Sequence, residues 1–196
     1  KAGGHLGFKQ EEIQDSGHSL EVLVPDVVQA VRPFEDKCGR AIPVIAAGGV
    51  YSGADIKKFM DLGASGVQLG TRFVATDECD ADIRFKQSYL DAKEEDITII
   101  NSPVGMPGRA LFNDFIAASR AGQKKPFKCI FHCLHTCNPK ETPYCIAQAL
   151  ISAMRGNLKG GFAFCGSNVH KVDKIVPVAE LMATLEKEYD AACAKT

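Results

Sequence analysis

Apolar positions along the chain follow two rhythms. In "LVPDVVQAVRPF", Val24, Val27, Val28 and Val31 recur at helical spacing, and Pro25 suits a first helical position, so a helix is predicted there. "AIPVIAAGG" is instead a short continuous apolar run closed by two glycines, the pattern of a strand buried on both faces of a parallel sheet. "YSGADIKKFMDLG" predicts a second helix, with Ser52 as N-cap, an apolar face of Ile56, Phe59 and Met60, and Gly63 as the stop. "GVQLG" reads as another buried strand, and "DADIRFKQSYLDAKEED" as a longer charged helix. Residues 42–93 therefore alternate strand, helix, strand, helix with short connections, the order of βα units on a parallel sheet.

The pattern changes after about residue 97. "ITIINSPVGMPGRALFNDFI" joins a strand-like run to a Pro- and Gly-rich loop and then a helix. "TPYCIAQALISAMRGN" predicts a helix capped by Thr142, with Pro143 in its first turn and Gly156 ending it. The last helix, "VPVAELMATLEKEYDAAC", sets Val178, Leu181, Met182, Leu185 and Tyr189 in one stripe, read as a packing face. No internal repeat or low-complexity linker interrupts the chain.

At 196 residues, 45% hydrophobic and 24% charged, the chain can bury a real core. A net charge of −1 gives no electrostatic case for nucleic acid or an anionic membrane as partner. No apolar run is long enough to span a bilayer. Eight cysteines is a high count, but five fall between Cys129 and Cys165, unlike a secreted disulfide framework. They are read as reduced thiols of a cytoplasmic enzyme.

Candidate chemistry gathers at glycines. Gly48 and Gly49 follow the first strand and Gly70 the second, at the strand carboxyl ends where α/β proteins bind ligands. Glycine lets backbone N–H groups approach a phosphate closely, and a following helix N-terminus adds a favourable partial charge. Gly-Gly and Gly-Thr also serve simply to turn a chain. His5, set among glycines in "AGGHLG", can exchange a proton near neutral pH or hold a loop through a carbonyl. Cys129, Cys133 and Cys137 stand four apart, as on one face of a helix, with Cys145 eight further on. They are the only candidates for a metal, but the spacing has no CxxC and prolines interrupt it, so no metal site is assigned. Arg109 either faces a substrate or caps the fold.

"AGGHLG", "PVIAAGGV" and "GASGVQLGTRFVATDE", in this order, resemble the nitronate monooxygenase (2-nitropropane dioxygenase) family, in the same superfamily as flavin-dependent enoyl-acyl-carrier-protein reductases. "PYCIAQAL" and "GFAFCGSN" look like a clostridial-type branch. The resemblance implies an α/β fold that is the C-terminal portion of a TIM (β/α)8 barrel. Residues 1–96 would form part of that FMN-binding barrel, roughly its last three strands. Residues 97–196 would be a loop-rich, cysteine-rich and helical extension packing on it. Gly3 and Gly4 would lie beside the flavin, Gly48 and Gly49 would hold the FMN phosphate, and Gln68, Gly70 and Thr71 would hold flavin and phosphate. His5 would be the catalytic histidine. The implied reaction is oxidation of alkyl nitronates by molecular oxygen. The alternatives are an NAD(P)H-dependent enoyl-thioester reductase and a protein that binds FMN without turnover. An exposed barrel face suits a homodimer.

Overall fold

The structure is a computed structural model that describes residues 2–14, 16–130, 132–135 and 137–195. Its elements, in chain order, are α1 (Leu20–Cys38), β1 (Ile45–Ala47), α2 (Gly53–Asp61), β2 (Gly66–Gln68), α3 (Thr71–Val74), α4 (Ile83–Leu90), β3 (Ile97–Asn101), β4 (Pro107–Leu111), α5 (Asp114–Arg120), α6 (Ile146–Met154) and α7 (Val178–Cys193). Two βα units are followed by a hairpin and helices, an α/β fold.

β1 and β2 pair in parallel, with Ile45 opposite Gly66, Ala46 opposite Val67 and Ala47 opposite Gln68. One face meets α1 and α2: Ala46 and Val67 join Val24, Val28, Ile56 and Phe59 in one apolar cluster. The other face is open, and Ile45 is 53% exposed. The expectation of strands buried on both faces is thus corrected, because no described element covers the second face.

α1 begins five residues before its predicted proline, so Pro25 and Pro33 both lie inside the helix. Each lacks the N–H that would bond the carbonyl four residues earlier, at Glu21 and Gln29. α2 starts as predicted. The Ser52 side chain accepts from the Asp55 N–H, and the Asp55 carboxylate accepts from the Ser52 N–H, a complete capping box. Gly63, at φ +98°, ends it in the left-handed turn expected of a stop glycine. α4 spans eight residues and is shorter than the charged run suggested.

α7 packs across α2 at Gly53. A Cβ there would run into the backbone of α7 at Leu185 and Tyr189, so only glycine permits this approach. The Gly53 N–H donates to the Glu188 carboxylate over 2.7 Å. Leu181 and Leu185 of the predicted stripe are buried, whereas Met182 is 52% exposed, since α2 does not reach that far round the helix.

β3 and β4 form an antiparallel hairpin with Ile99 opposite Arg109. The β4 strand lies in what reads as loop sequence. On its edge away from β3 it is bridged to His5 at Gly108 and to Phe164 at Ala110. α6 starts at Ile146, not after Thr142. The intervening Tyr144 is drawn into the core, its ring edge-on to Phe115 at 4.9 Å and to Phe162 at 5.9 Å. The Pro143 carbonyl accepts from the Lys125 N–H. Those contacts hold residues 142–145 as a turn.

Candidate functional site

Three glycine-bearing segments meet at the carboxyl ends of β1 and β2. Gly48 and Gly49 have φ of +94° and +78°, a region L side chains rarely enter. A Cβ on Gly48 would stand 2.9 Å from the Gly3 nitrogen, and one on Gly49 would stand 2.6 Å from the Ala2 Cβ. The two strand-end glycines therefore lie directly against the chain that leads to His5. Asn168 donates its side-chain amide to the Gly49 carbonyl over 2.8 Å. The Thr71 hydroxyl oxygen accepts from the Gly166 N–H at 2.9 Å, and the Ser167 N–H donates to the Ala2 carbonyl. A Gly166-Ser167-Asn168 turn thus ties the Ala2–Gly4 stretch, the Gly48–Gly49 loop and the Gly70–Thr71 loop together.

Gly70 differs from the other two glycines. Its φ is −120° and a Cβ there would meet nothing within 4 Å. The space beside it is open. Among the described residues, the N–H groups of Gly49, Gly70 and Thr71 donate to no other protein group. Exposed, unpaired N–H groups beside glycine are what an anionic oxygen requires. α3, which follows, has only four residues, so the helix partial charge expected from the sequence is small. Gln68 sits on the open face of β2, opposite Ala47.

His5 lies on the loop held by β4. The Leu6 N–H donates to the Pro107 carbonyl and the Arg109 N–H to the Gly4 carbonyl, at 2.9 and 2.7 Å. The imidazole packs on Phe164, ring centres 4.2 Å apart, and its Nε2 is 3.3 Å from the Ser102 hydroxyl. Desolvation against these groups lowers the His5 pKa below its ordinary value, which favours the neutral, proton-accepting ring near neutral pH. Ser102 also lines a cavity of about 650 Å³ with Gly7, Phe8, Asn101 and Met106.

Arg109 belongs to the same assembly. It is 8% exposed, and its guanidinium donates to the Gly3 carbonyl at 2.5 Å. Together with Gly48, Gly49 and Ser167 it lines a cavity of about 230 Å³. Burial depresses its pKa.

The sequence-predicted residues Gly3, Gly4, His5, Gly48, Gly49, Gly70 and Thr71 are brought to one end of the βα pair. Sequence reasoning missed Ser102, Phe164 and the Gly166–Asn168 turn. The turn had a signal: an apolar run, "GFAF", closing on small polar residues. Phe164 had none, because its pairing with His5 spans the chain.

The cysteines are arranged otherwise. Among the described residues of 124–145 there is neither helix nor strand, so Cys129, Cys133 and Cys137 do not share a helical face. Pro126, Pro139 and Pro143 and a left-handed His132, φ 45°, explain the lack of a helix. The three cysteines and Cys145 line a cavity of about 490 Å³ beside α6. Among the described residues, no three His, Cys, Asp or Glu side chains are grouped so as to hold a metal ion.

The nitronate monooxygenase family model matches residues 1–188. A probable nitronate monooxygenase of Staphylococcus saprophyticus is 36% identical over 118 residues, 59% of this chain and 31% of that protein. Its counterpart in Staphylococcus haemolyticus is 35% identical over the same length. Among solved structures, FabK from Thermotoga maritima superposes with a TM-score of 0.73 at 28% identity, covering 99% of this chain and 53% of FabK. Nitroalkane oxidase from Streptomyces ansochromogenes gives 0.71 at 26% identity, covering 99% of this chain and 50% of the oxidase. The chain thus spans about a third of the curated relatives it matches and about half of these solved structures. A match over nearly the whole chain, on the segments that build the glycine-lined site, places it: the chain belongs to the nitronate monooxygenase family, whose members are FMN-dependent oxidoreductases.

Proposed function

We propose that this chain forms the flavin-facing portion of an enzyme that oxidises alkyl nitronates with molecular oxygen. The observation that carries this reading is the convergence of Gly3–His5, Gly48–Gly49 and Gly70–Thr71 at the carboxyl ends of one parallel strand pair. The residues present fit FMN. Unpaired N–H groups at Gly49, Gly70 and Thr71, the open space beside Gly70 and a buried arginine suit a phosphate. The open apolar face of β1 supports a larger (β/α)8 barrel, with residues 1–96 as its C-terminal part and residues 97–196 packed on it.

In this reading Gly48, Gly49, Gly70 and Thr71 hold the FMN phosphate through backbone N–H groups. Gly3 and Gly4 allow close approach of the ring, and Gln68 contributes from the open face of β2. Bound FMN supplies the electron transfer between nitronate and oxygen. His5, whose pKa desolvation lowers, takes the proton from carbon next to the nitro group of a neutral nitroalkane, or orients the nitronate anion. Phe164 and Ser102 fix the plane and edge of its ring. All eight cysteines stand unpaired, which fits a cytoplasmic protein. No helix among the described residues is long and apolar enough to cross a membrane. A homodimer would cover an open barrel face.

The test uses full-length, flavin-loaded protein without oxygen. Addition of a nitronate is expected to bleach the flavin absorbance, while NADH leaves it unchanged. Rapid bleaching by NADH would assign the enoyl-thioester reductase instead, a reading the family match does not favour. A flavin that neither compound reduces would indicate FMN binding without turnover.

A further inference from the structure

We propose that Arg109 is the cation of the phosphate site, pairing with the terminal phosphate of FMN in the cavity it shares with Gly48 and Gly49. The proposal rests on the FMN reading above and adds a residue to it.

A guanidinium carries five N–H donors in a planar fork and stays charged in proteins. Arg109 is buried, with 8% of its surface exposed. Its guanidinium has one protein acceptor among the described residues, the Gly3 carbonyl. Among the described residues, no carboxylate forms an ion pair with it. The charged neighbour that could act on it, the Cys165 thiol, is itself pushed up to about 12 by burial and so is neutral at physiological pH. The one carboxylate lining the cavity, Glu21, is already paired with Lys58 at 2.5 Å. A buried charge left in this state is costly, and proteins normally pair such charges. Arg109 lines one cavity together with Gly48, Gly49 and Ser167. A dianionic phosphate meets that need, and arginine–phosphate pairs are frequently bidentate. The Gly3 contact then has a second role, since it holds the fork against the very loop on which Gly48 packs.

Riboflavin provides the test, because it has the ring and ribityl chain of FMN without the phosphate. Dissociation constants for FMN and riboflavin are measured on flavin-stripped full-length protein, wild type, Arg109→Met and Arg109→Lys. Wild type is expected to prefer FMN. Arg109→Met should lose about 10- to 100-fold of that preference while riboflavin affinity changes little, and Arg109→Lys should recover part of it. If Arg109→Met binds no flavin at all, the lysine variant decides: recovery of the FMN preference supports the pairing, and its absence overturns it. Equal weakening of both flavins would make Arg109 a support of the Gly3 loop only. An undiminished preference for FMN in Arg109→Met would overturn the proposal outright. Lack of any preference in the wild type would remove the phosphate cradle itself, and the pairing with it.

Discussion

The two sheets of this molecule differ in what surrounds them. β1 and β2 are covered by helices on one side only, and Ile45 points into the open on the other. β4 is enclosed: Gly108, Arg109, Ala110 and Leu111 are all buried, with β3 along one edge and the chains at His5 and Phe164 along the other. The difference matches what each contributes. The open pair ends in bare glycine backbone with free N–H groups, suited to a ligand that must come close. The enclosed hairpin contributes side chains with fixed positions: Ser102 and Arg109 directly, Phe164 through its bridge. His5 stands where the two regions touch.

The sharpest way to break this division is at His5. His5→Asn is expected to retain FMN and to lose about 10²–10⁴-fold in turnover of a neutral nitroalkane, the usual worth of a general base. A pre-ionised nitronate needs no proton removed and should lose much less. Equal losses with both substrates would mean that the ring orients the anion and is not the base.

Gly70→Val tests the backbone half. The backbone at Gly70 is accessible to L residues and the space beside it is empty, so the fold should tolerate valine. FMN affinity should fall about 10- to 100-fold by loss of charged hydrogen bonds. Unchanged flavin binding in a folded variant would move the phosphate away from this loop.

Gly53→Ala probes the packing that holds α2, and with it the Gly48–Gly49 loop. The added carbon meets the α7 backbone, and destabilisation of about 1–3 kcal/mol is expected in denaturant titration. Wild-type stability would show that α7 can yield.

The acid limb sharpens the electrostatic part. Burial lowers the His5 pKa, so kcat/KM for a neutral nitroalkane should hold as pH falls through about 6.5 and decline only below it. The folded state binds this proton less well than the unfolded chain does. The group therefore lowers stability as pH drops through its ordinary value and has no effect well above it. A limb at or above the ordinary histidine value would contradict the desolvated setting.

At the small end, Lys57→Ala removes an i,i+4 pair with Asp61 on α2, away from the glycine loops, and flavin content should not change.

The chain's own local signals determined the βα alternation over residues 42–77, the Ser52 cap and the Gly63 stop, because caps, stops and short apolar runs act between near neighbours. They also marked His5 and the paired glycines as candidates. Tertiary structure alone decided the rest. Tyr144 moved the start of α6 by leaving the helix for the aromatic core. "PGRAL" became a strand because β3 pairs with one edge of it and the chains at His5 and Phe164 bridge to the other. Gly53 proved to be a crossing point, Phe164 the wall behind His5, and Arg109 a buried cation without a carboxylate. Each of these depends on groups dozens of residues apart, whose encounter is governed by the burial and hydrogen bonding of the whole chain, and no local pattern encodes it.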